Sequence, residues 1–359
     1  MNFDFSDEQR RMQEEVRRML ADTCTSAELR RVLGGEAPYS AETWRNLHAM
    51  GAAVAAIPEE FGGSGMGYLE LCLVAEEAGR QLAAVPFGSS IYLAAEALLH
   101  CASEVQQRTW LPRIAAGEVI GSAALAATER YLSEAAPVFD GATLSGVVQP
   151  VPDGMVAGLL VLEAGGMLLL VDLTHAGVQR TPLASLDPTR PLARIAFDAV
   201  PAEPLAGAPG AERVRSAAAV LFAFEQLGGA ARALEIARDY ALERKAFGRP
   251  IGGFQALKHK MADIYTRIEL ARVHVYYGAW ALSSNAPQLP LAAAAARTAA
   301  SSAFTFAAEE SIEIHGGIGF TWEMDCHLYL RRARYLGQII GSVHTWRARL
   351  GAALLEEVA

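Results

Sequence analysis

The residues best placed to do chemistry lie in the run Tyr240–Ile264, YALERKAFGRPIGGFQALKHKMADI. Arg244, Phe247 and Gly248 make a basic-aromatic corner where a long helical pattern ends. A guanidinium is a planar fork that fits a phosphate bidentately, and a phenyl ring three residues on offers an apolar face to a second ring. An adenine dinucleotide would use both. A plainer reading has Arg244 paired with a nearby glutamate and Phe247 plugging a helix joint. Pro250 stops the preceding helix, Gly252 and Gly253 permit a tight turn, and Phe254-Gln255 open a new apolar-periodic run.

The elements that must hold this corner are legible from periodicity. Ser6 with Gln9 forms a capping box, and Asp7 and Glu8 put negative charge in the first turn, so a helix is expected from residue 7. Trp44–Met50, Tyr68–Gln81 and Glu104–Ala116 have helical spacing, and Gln81–Leu99 is alanine-rich. The Pro- and Gly-rich run Ile57–Gly67 reads as a loop. From about Val119 to Leu205 short apolar runs alternate with Gly, Pro and Asp. Strands are expected at Ile120–Ala126, Thr143–Val148, Val156–Leu162, Met167–Leu173 and Ala193–Phe197, mainly antiparallel, with hairpin turns at Asp140-Gly141, Asp153-Gly154 and Gly165-Gly166. After a linker at Pro201–Gly210, long helices are expected at Ala211–Glu243, Phe254–Ser283, Leu291–Ile314 and Ile339–Glu357, with a short one at Asp325–Arg334. Leu221, Phe224, Leu227, Gly228, Ala231, Leu234 and Arg238 trace an apolar stripe suited to a four-helix bundle. The fold class is therefore α+β, with an N-terminal helical domain at 1–117, a β domain at 118–207 and a helical bundle at 208–359.

Composition bounds the function. With 52% hydrophobic residues in 359, the chain can bury a full core, and its formal charge of −9 supplies no general field for nucleic acid or an anionic membrane. The four cysteines are far apart, with no CxxC and no histidine at ligand spacing, so neither a metal site nor a disulfide framework is expected. The acidic, polar start MNFDFSDEQRRMQEE is not a signal peptide, which predicts a cytoplasmic location. The apolar segment Met155–Leu173 is broken by Glu163, Gly165, Gly166 and Asp172, so it reads as a β-hairpin rather than a membrane span.

Three motifs resemble the acyl-CoA dehydrogenase family: the R-x-x-F-G…Q pattern of Arg244, Phe247, Gly248 and Gln255; the turn Glu313-Ile314-His315-Gly316-Gly317-Ile318-Gly319-Phe320; and Ile57-Pro58-Glu59-Glu60-Phe61-Gly62-Gly63-Ser64-Gly65, followed by Glu76-Glu77. The resemblance implies that Arg244, Phe247, Gln255, Glu313, Gly316 and Gly317 bind the FAD of a neighbouring subunit. It also implies α,β-desaturation of an acyl-CoA thioester, with an electron-transfer flavoprotein as acceptor. In the family a glutamate removes the α-proton while the β-hydrogen leaves as hydride to the flavin. That glutamate precedes a Gly-[ST] pair near the chain end or lies about 26 residues before the corner arginine; here these positions are Ile340 and Ala218. Neither accepts a proton.

A second departure concerns the family's T-E-P-x-A-G-S-D and W-I-[TS]-N-G stretches, which wrap the flavin ring. Ala127–Ser133 keeps Thr128-Glu129 and Ser133, and Leu144–Asp153 has no tryptophan. Elements that reach a neighbour's FAD are kept, and those that hold a flavin in cis are mostly gone. This asymmetry resembles the non-catalytic subunit of the bacterial heterotetrameric (α2β2) enzymes of sterol side-chain degradation. Two alternatives stand beside it: a homomeric enzyme with a relocated base at Glu225, two helical turns from Ala218, and a binding or structural homologue without FAD. The family has glutamine at Glu313; a carboxylate there repels pyrophosphate unless paired. His315 is read as a donor to the cofactor or a core histidine. Arg331, Arg332 and Arg334 are read as partners for CoA phosphates or a solvated helix face, and Glu76-Glu77 as a solvated or salt-bridged face. Trp280, Phe304, Phe306 and Trp346 exceed one bundle core's needs, which predicts burial of some between subunits.

Overall fold

A computed structural model describes residues 5–125, 136–205 and 210–358. The N-terminal helices are α1 (Asp7–Thr23), α2 (Ser26–Leu33), α3 (Ala41–Ala49), α4 (Tyr68–Arg80), α5 (Glu96–Cys101) and α6 (Glu104–Ala115). A wide π-type helix, Gly88–Ala95, runs into α5. The capping box forms as expected: Gln9 N–H donates to Ser6 Oγ at 3.2 Å, and Ser6 N–H donates to Gln9 Oε1 at 2.9 Å. Of the carboxylates on α4, Glu77 pairs with Arg17 at 2.7 Å and Glu76 with Arg272 at 3.1 Å, and both are buried rather than solvated.

The β region is two packed four-stranded sheets. Strands β1 (Gly121–Ala124), β4 (Leu159–Ala164), β5 (Met167–Asp172) and β8 (Glu203–Pro204) form one; β2 (Val138–Phe139), β3 (Thr143–Pro152), β7 (Leu192–Pro201) and β6 (Val178–Leu183) form the other. All pairs are antiparallel except β1 with β4. The β4–β5 hairpin turns at Gly165 and Gly166, both at positive φ, the conformation a two-residue type I′ turn demands. Period-two alternation explains its unbroken apolar run. Leu160, Leu162, Leu169 and Val171 face the other sheet, while Leu159, Val161, Leu168 and Leu170 join the helical core, so both faces are covered.

Four features of this region depart from expectation. Asp153-Gly154 is no hairpin tip: β3 and β4 lie in different sheets, and the Asp153 carboxylate turns inward to accept from Ser89 Oγ at 2.6 Å. Val156–Gly158 consequently lies in the connection rather than in a strand. Strand β6 was not expected because VQRTPL is polar and carries a proline, which an edge strand tolerates. The expected linker likewise contains β8, which hydrogen-bonds to β5.

The C-terminal helices are α7 (Gly210–Glu243), α8 (Gln255–Ser283), α9 (Leu289–His315), α10 (Cys326–Leu336) and α11 (Val343–Val358). Helix α7 is the axle. Every residue from Ser216 to Ala230 is buried, not the expected stripe alone, because α4, α8 and α9 cover it on different sides. Arg238, at the end of that stripe, is exposed and pairs with Asp239. Phe304 and Trp346 are buried inside this chain's own core, so the expected intersubunit role does not apply to them.

Helices α4 and α7 cross at a pair of glycines. A Cβ on Gly228 would lie 1.8 Å from the Glu76 carbonyl oxygen, and one on Gly79 would lie 1.8 Å from that of Glu225. Backbone cannot retreat as a side chain can. Gly228→Ala should therefore force the helices apart and destabilise the chain by about 1–3 kcal/mol or more, read as a fall in denaturation midpoint; an unchanged midpoint would mean the crossing is loose.

Candidate functional site

The corner after α7 is a miniature antiparallel ribbon, β9 (Lys245–Ala246) with β10 (Arg249–Pro250), closed by the two-residue turn Phe247-Gly248. Phe247 sits at φ 53° and Gly248 at φ 79°. Glycine takes that conformation freely; phenylalanine takes it at a cost of about 1–3 kcal/mol. Its ring is 95% exposed. Phe254 meets it edge-on at 6.2 Å, and the Arg249 guanidinium lies 4.1 Å over the Phe254 ring. Arg244 is exposed and, among the described residues, its guanidinium has no ion-pair partner. Neither half of the plainer reading is observed: Arg244 is not tied to a glutamate, and Phe247 plugs nothing.

Two contacts bring the sequence-singled residues together. Tyr240, one helical turn before Arg244, stacks on His315 with centroids 4.4 Å apart, joining the ends of α7 and α9. Lys260, in the second turn of α8, donates to Glu313 Oε2 at 2.8 Å and also bonds Glu310, joining α8 to α9. Exposed Gln255 opens α8, and Gly316-Gly317 follow α9 directly. Gly316 is at φ 65°, and a Cβ on either glycine would meet nothing within 4 Å, so an open ledge borders the loop. Lys260 beside it holds the Glu313 carboxyl below its usual range. His315 behaves as a core histidine: Nδ1 donates to the Ser311 carbonyl at 2.7 Å, and burial pushes its pKa down.

The usual base positions hold no acid. Ala218 is fully buried, one turn from Phe222, whose ring packs against Tyr92 at 5.1 Å. Gly88 lies so close that its Cβ would stand 2.7 Å from the Phe222 ring. Ile340 is half-buried, and its carbonyl accepts from Trp346 Nε1 at 3.1 Å. Thr128-Glu129 and Ser133 lie outside the described residues.

Glu225 sits in a buried ion cluster that periodicity could not reveal. Arg190 Nη2 donates to its Oε1 at 2.6 Å and Arg332 Nη1 at 3.3 Å, while Arg332 Nε reaches Asp187 at 2.6 Å. Further guanidinium donors go to the carbonyls of Leu82, Ala83 and Val85 and to Thr189, while Arg190 Nε and Glu225 Oε2 are buried without a hydrogen-bond partner among the described residues. Arg332 is thus neither a solvated face nor placed for CoA phosphates. Arg334 pairs with Glu309, and Arg331 donates to the Leu186 carbonyl at 3.1 Å. The one available signal was composition: Asp187-Pro188-Thr189-Arg190 is a charged turn inside a largely apolar region.

Comparison with known proteins bears on the family and the fold. Residues 6–118 match the acyl-CoA dehydrogenase N-terminal domain and residues 213–355 the C-terminal domain. The chain is 37% identical over 351 residues to the acyl-CoA dehydrogenase IpdE2 of Mycobacterium tuberculosis, covering 98% of each. Among solved structures, it superposes on a chain of the ChsE4-ChsE5 complex from Mycobacterium tuberculosis with a TM-score of 0.91 at 27% identity, covering 99% of both chains. With a Tcur3481-Tcur3483 steroid ACAD variant the TM-score is 0.89 at 30% identity, covering 98% of this chain and 99% of that one. No helix among the described residues is long and apolar enough to cross a membrane. With both terminal domains matched and the fold shared end to end, the chain belongs to the acyl-CoA dehydrogenase family, oxidoreductases acting on CH–CH donors.

Proposed function

We propose that this chain is the subunit of an acyl-CoA dehydrogenase assembly that completes the FAD site of a second family member. The observation that carries the reading is Phe247, strained to positive φ and 95% exposed beside Arg244, whose guanidinium has no ion-pair partner among the described residues. Strain at an exposed aromatic tip is retained where something outside the chain uses it. The open ledge at Gly316-Gly317 fits the same group, since a side chain there would fill it.

FAD supplies the acceptor for the hydride that leaves the β-carbon of the acyl thioester. This chain's part is to hold it: Arg244 donates to the pyrophosphate, Phe247 covers a ring, Gln255 offers its amide, and the backbone at Gly316 and Gly317 permits close approach. The proton acceptor must come from the partner, because Ala218 and Ile340 cannot serve. Names of relatives that refer to steroid substrates and two-component complexes support a sterol-derived acyl-CoA and an α2β2 assembly; an electron-transfer flavoprotein is the expected acceptor. Exposed Tyr265, Leu270 and Val273 on α8 supply apolar surface for association.

Made alone, the chain should be colourless and inactive; made with its partner, it should yield a yellow assembly. Flavin absorbance per chain checks this. A stoichiometrically flavinated homomer that oxidises an acyl-CoA would overturn it.

A further inference from the structure

The family's glutamine is replaced here by Glu313, an acceptor-only group where a dinucleotide brings negative charge. Resting on the assignment of the corner to FAD, we propose that Lys260 is a further phosphate-binding residue, positioned by Glu310 and Glu313, which offsets this substitution.

The geometry is graded from inside to outside. Glu310 and Lys260 are part-buried at 18% and 31% side-chain exposure, whereas Glu313 is 63% exposed. The ammonium is pinned between the last two turns of α9 and the second turn of α8, and its partner Glu313 precedes Gly316 by three residues. An ammonium has three donors. Two go to the carboxylates, and among the described residues the third has no partner. Without Lys260, Glu310 and Glu313 would stand uncompensated beside a bound pyrophosphate, and like charges about 4 Å apart repel by about 1 kcal/mol even in water. The paired cation lowers that repulsion and leaves one N–H for a phosphate oxygen.

The sign of the double substitution tests this. FAD is titrated into the flavin-free assembly purified through a tag on this chain, following flavin fluorescence. K260M should weaken FAD about tenfold, equivalent to losing one charge-assisted bond. K260M/E313Q should recover the part of the loss that comes from the uncompensated Glu313 carboxylate but not the part carried by the ammonium's own bond, and E313Q alone should bind FAD as tightly as wild type or more so. Melting temperatures should stay within a few degrees throughout. Unchanged affinity in K260M, or weakened affinity in E313Q alone, overturns the proposal. So does a double variant no better than K260M, which would make Lys260 a structural strut. The reference variant R244A separates the levels: if R244A loses FAD while K260M does not, only this inference fails; if R244A keeps FAD, the corner assignment fails and this inference with it.

Discussion

Replacing Glu225 by glutamine or alanine should cost the fold about 3–5 kcal/mol, the usual penalty for removing one partner of a buried ion pair. Arg190 and Arg332 are each almost wholly buried, and both point donors at the same carboxylate. Removal takes away the carboxylate that the two guanidinium groups share, leaving Asp187 ion-paired with Arg332 and buried Asp153 as the other carboxylate acting on Arg190. Because these arginines also bond carbonyls before the π-type helix, damage should spread beyond α7. Chemical denaturation of the purified assembly is the check. The same variant discriminates the relocated-base alternative. A general base needs reach to the proton it abstracts, and a fully buried carboxylate held by two arginines has none. A Glu225→Gln assembly with wild-type stability and no turnover would reinstate it as base.

Arg244→Ala should lower the FAD affinity of the assembly by roughly ten- to more than a hundredfold, from about 1.5–3 kcal/mol of charge-assisted bonding. Lysine keeps the charge but loses the planar fork, so Arg244→Lys should recover only part of the loss. The stability of this chain should hardly move, because among the described residues the guanidinium has no ion pair to lose. If Arg244→Ala lowers the melting temperature while flavin content stays constant at limiting FAD, the corner is a helix joint and nothing more.

Most of the helical architecture was legible because long amphipathic runs with caps repeat one signal many times over: Ser6 and Gln9 announce α1, and Pro250 with Gly252-Gly253 separates α7 from α8. The β region was partly legible, since β4 and β5 are apolar on both faces while the edge strand β6 carries no pattern. The corner residues could be named, but their exposure could not, because spacing alone does not say whether Phe247 turns in or out. The ion cluster was illegible for a different reason. Glu225, the Asp187–Arg190 turn and Arg332 come from three distant stretches, and only tertiary packing shows that the charges compensate one another. Lys260 escaped notice likewise, since its partners lie 50 and 53 residues on.

The left-handed backbone of Phe247 bears on the entropy of assembly. A two-residue turn between paired strands has few alternative shapes, and the ring is already displayed in the isolated chain. Ordering the tip has therefore been settled during folding, so less of the contact free energy is spent on it at association. Glycine at 247 would relax the turn and loosen it together. Phe247→Gly should then stabilise the unassembled chain yet weaken cofactor capture more than loss of the ring alone, and Phe247→Ala, which keeps the tip stiffer, measures the difference.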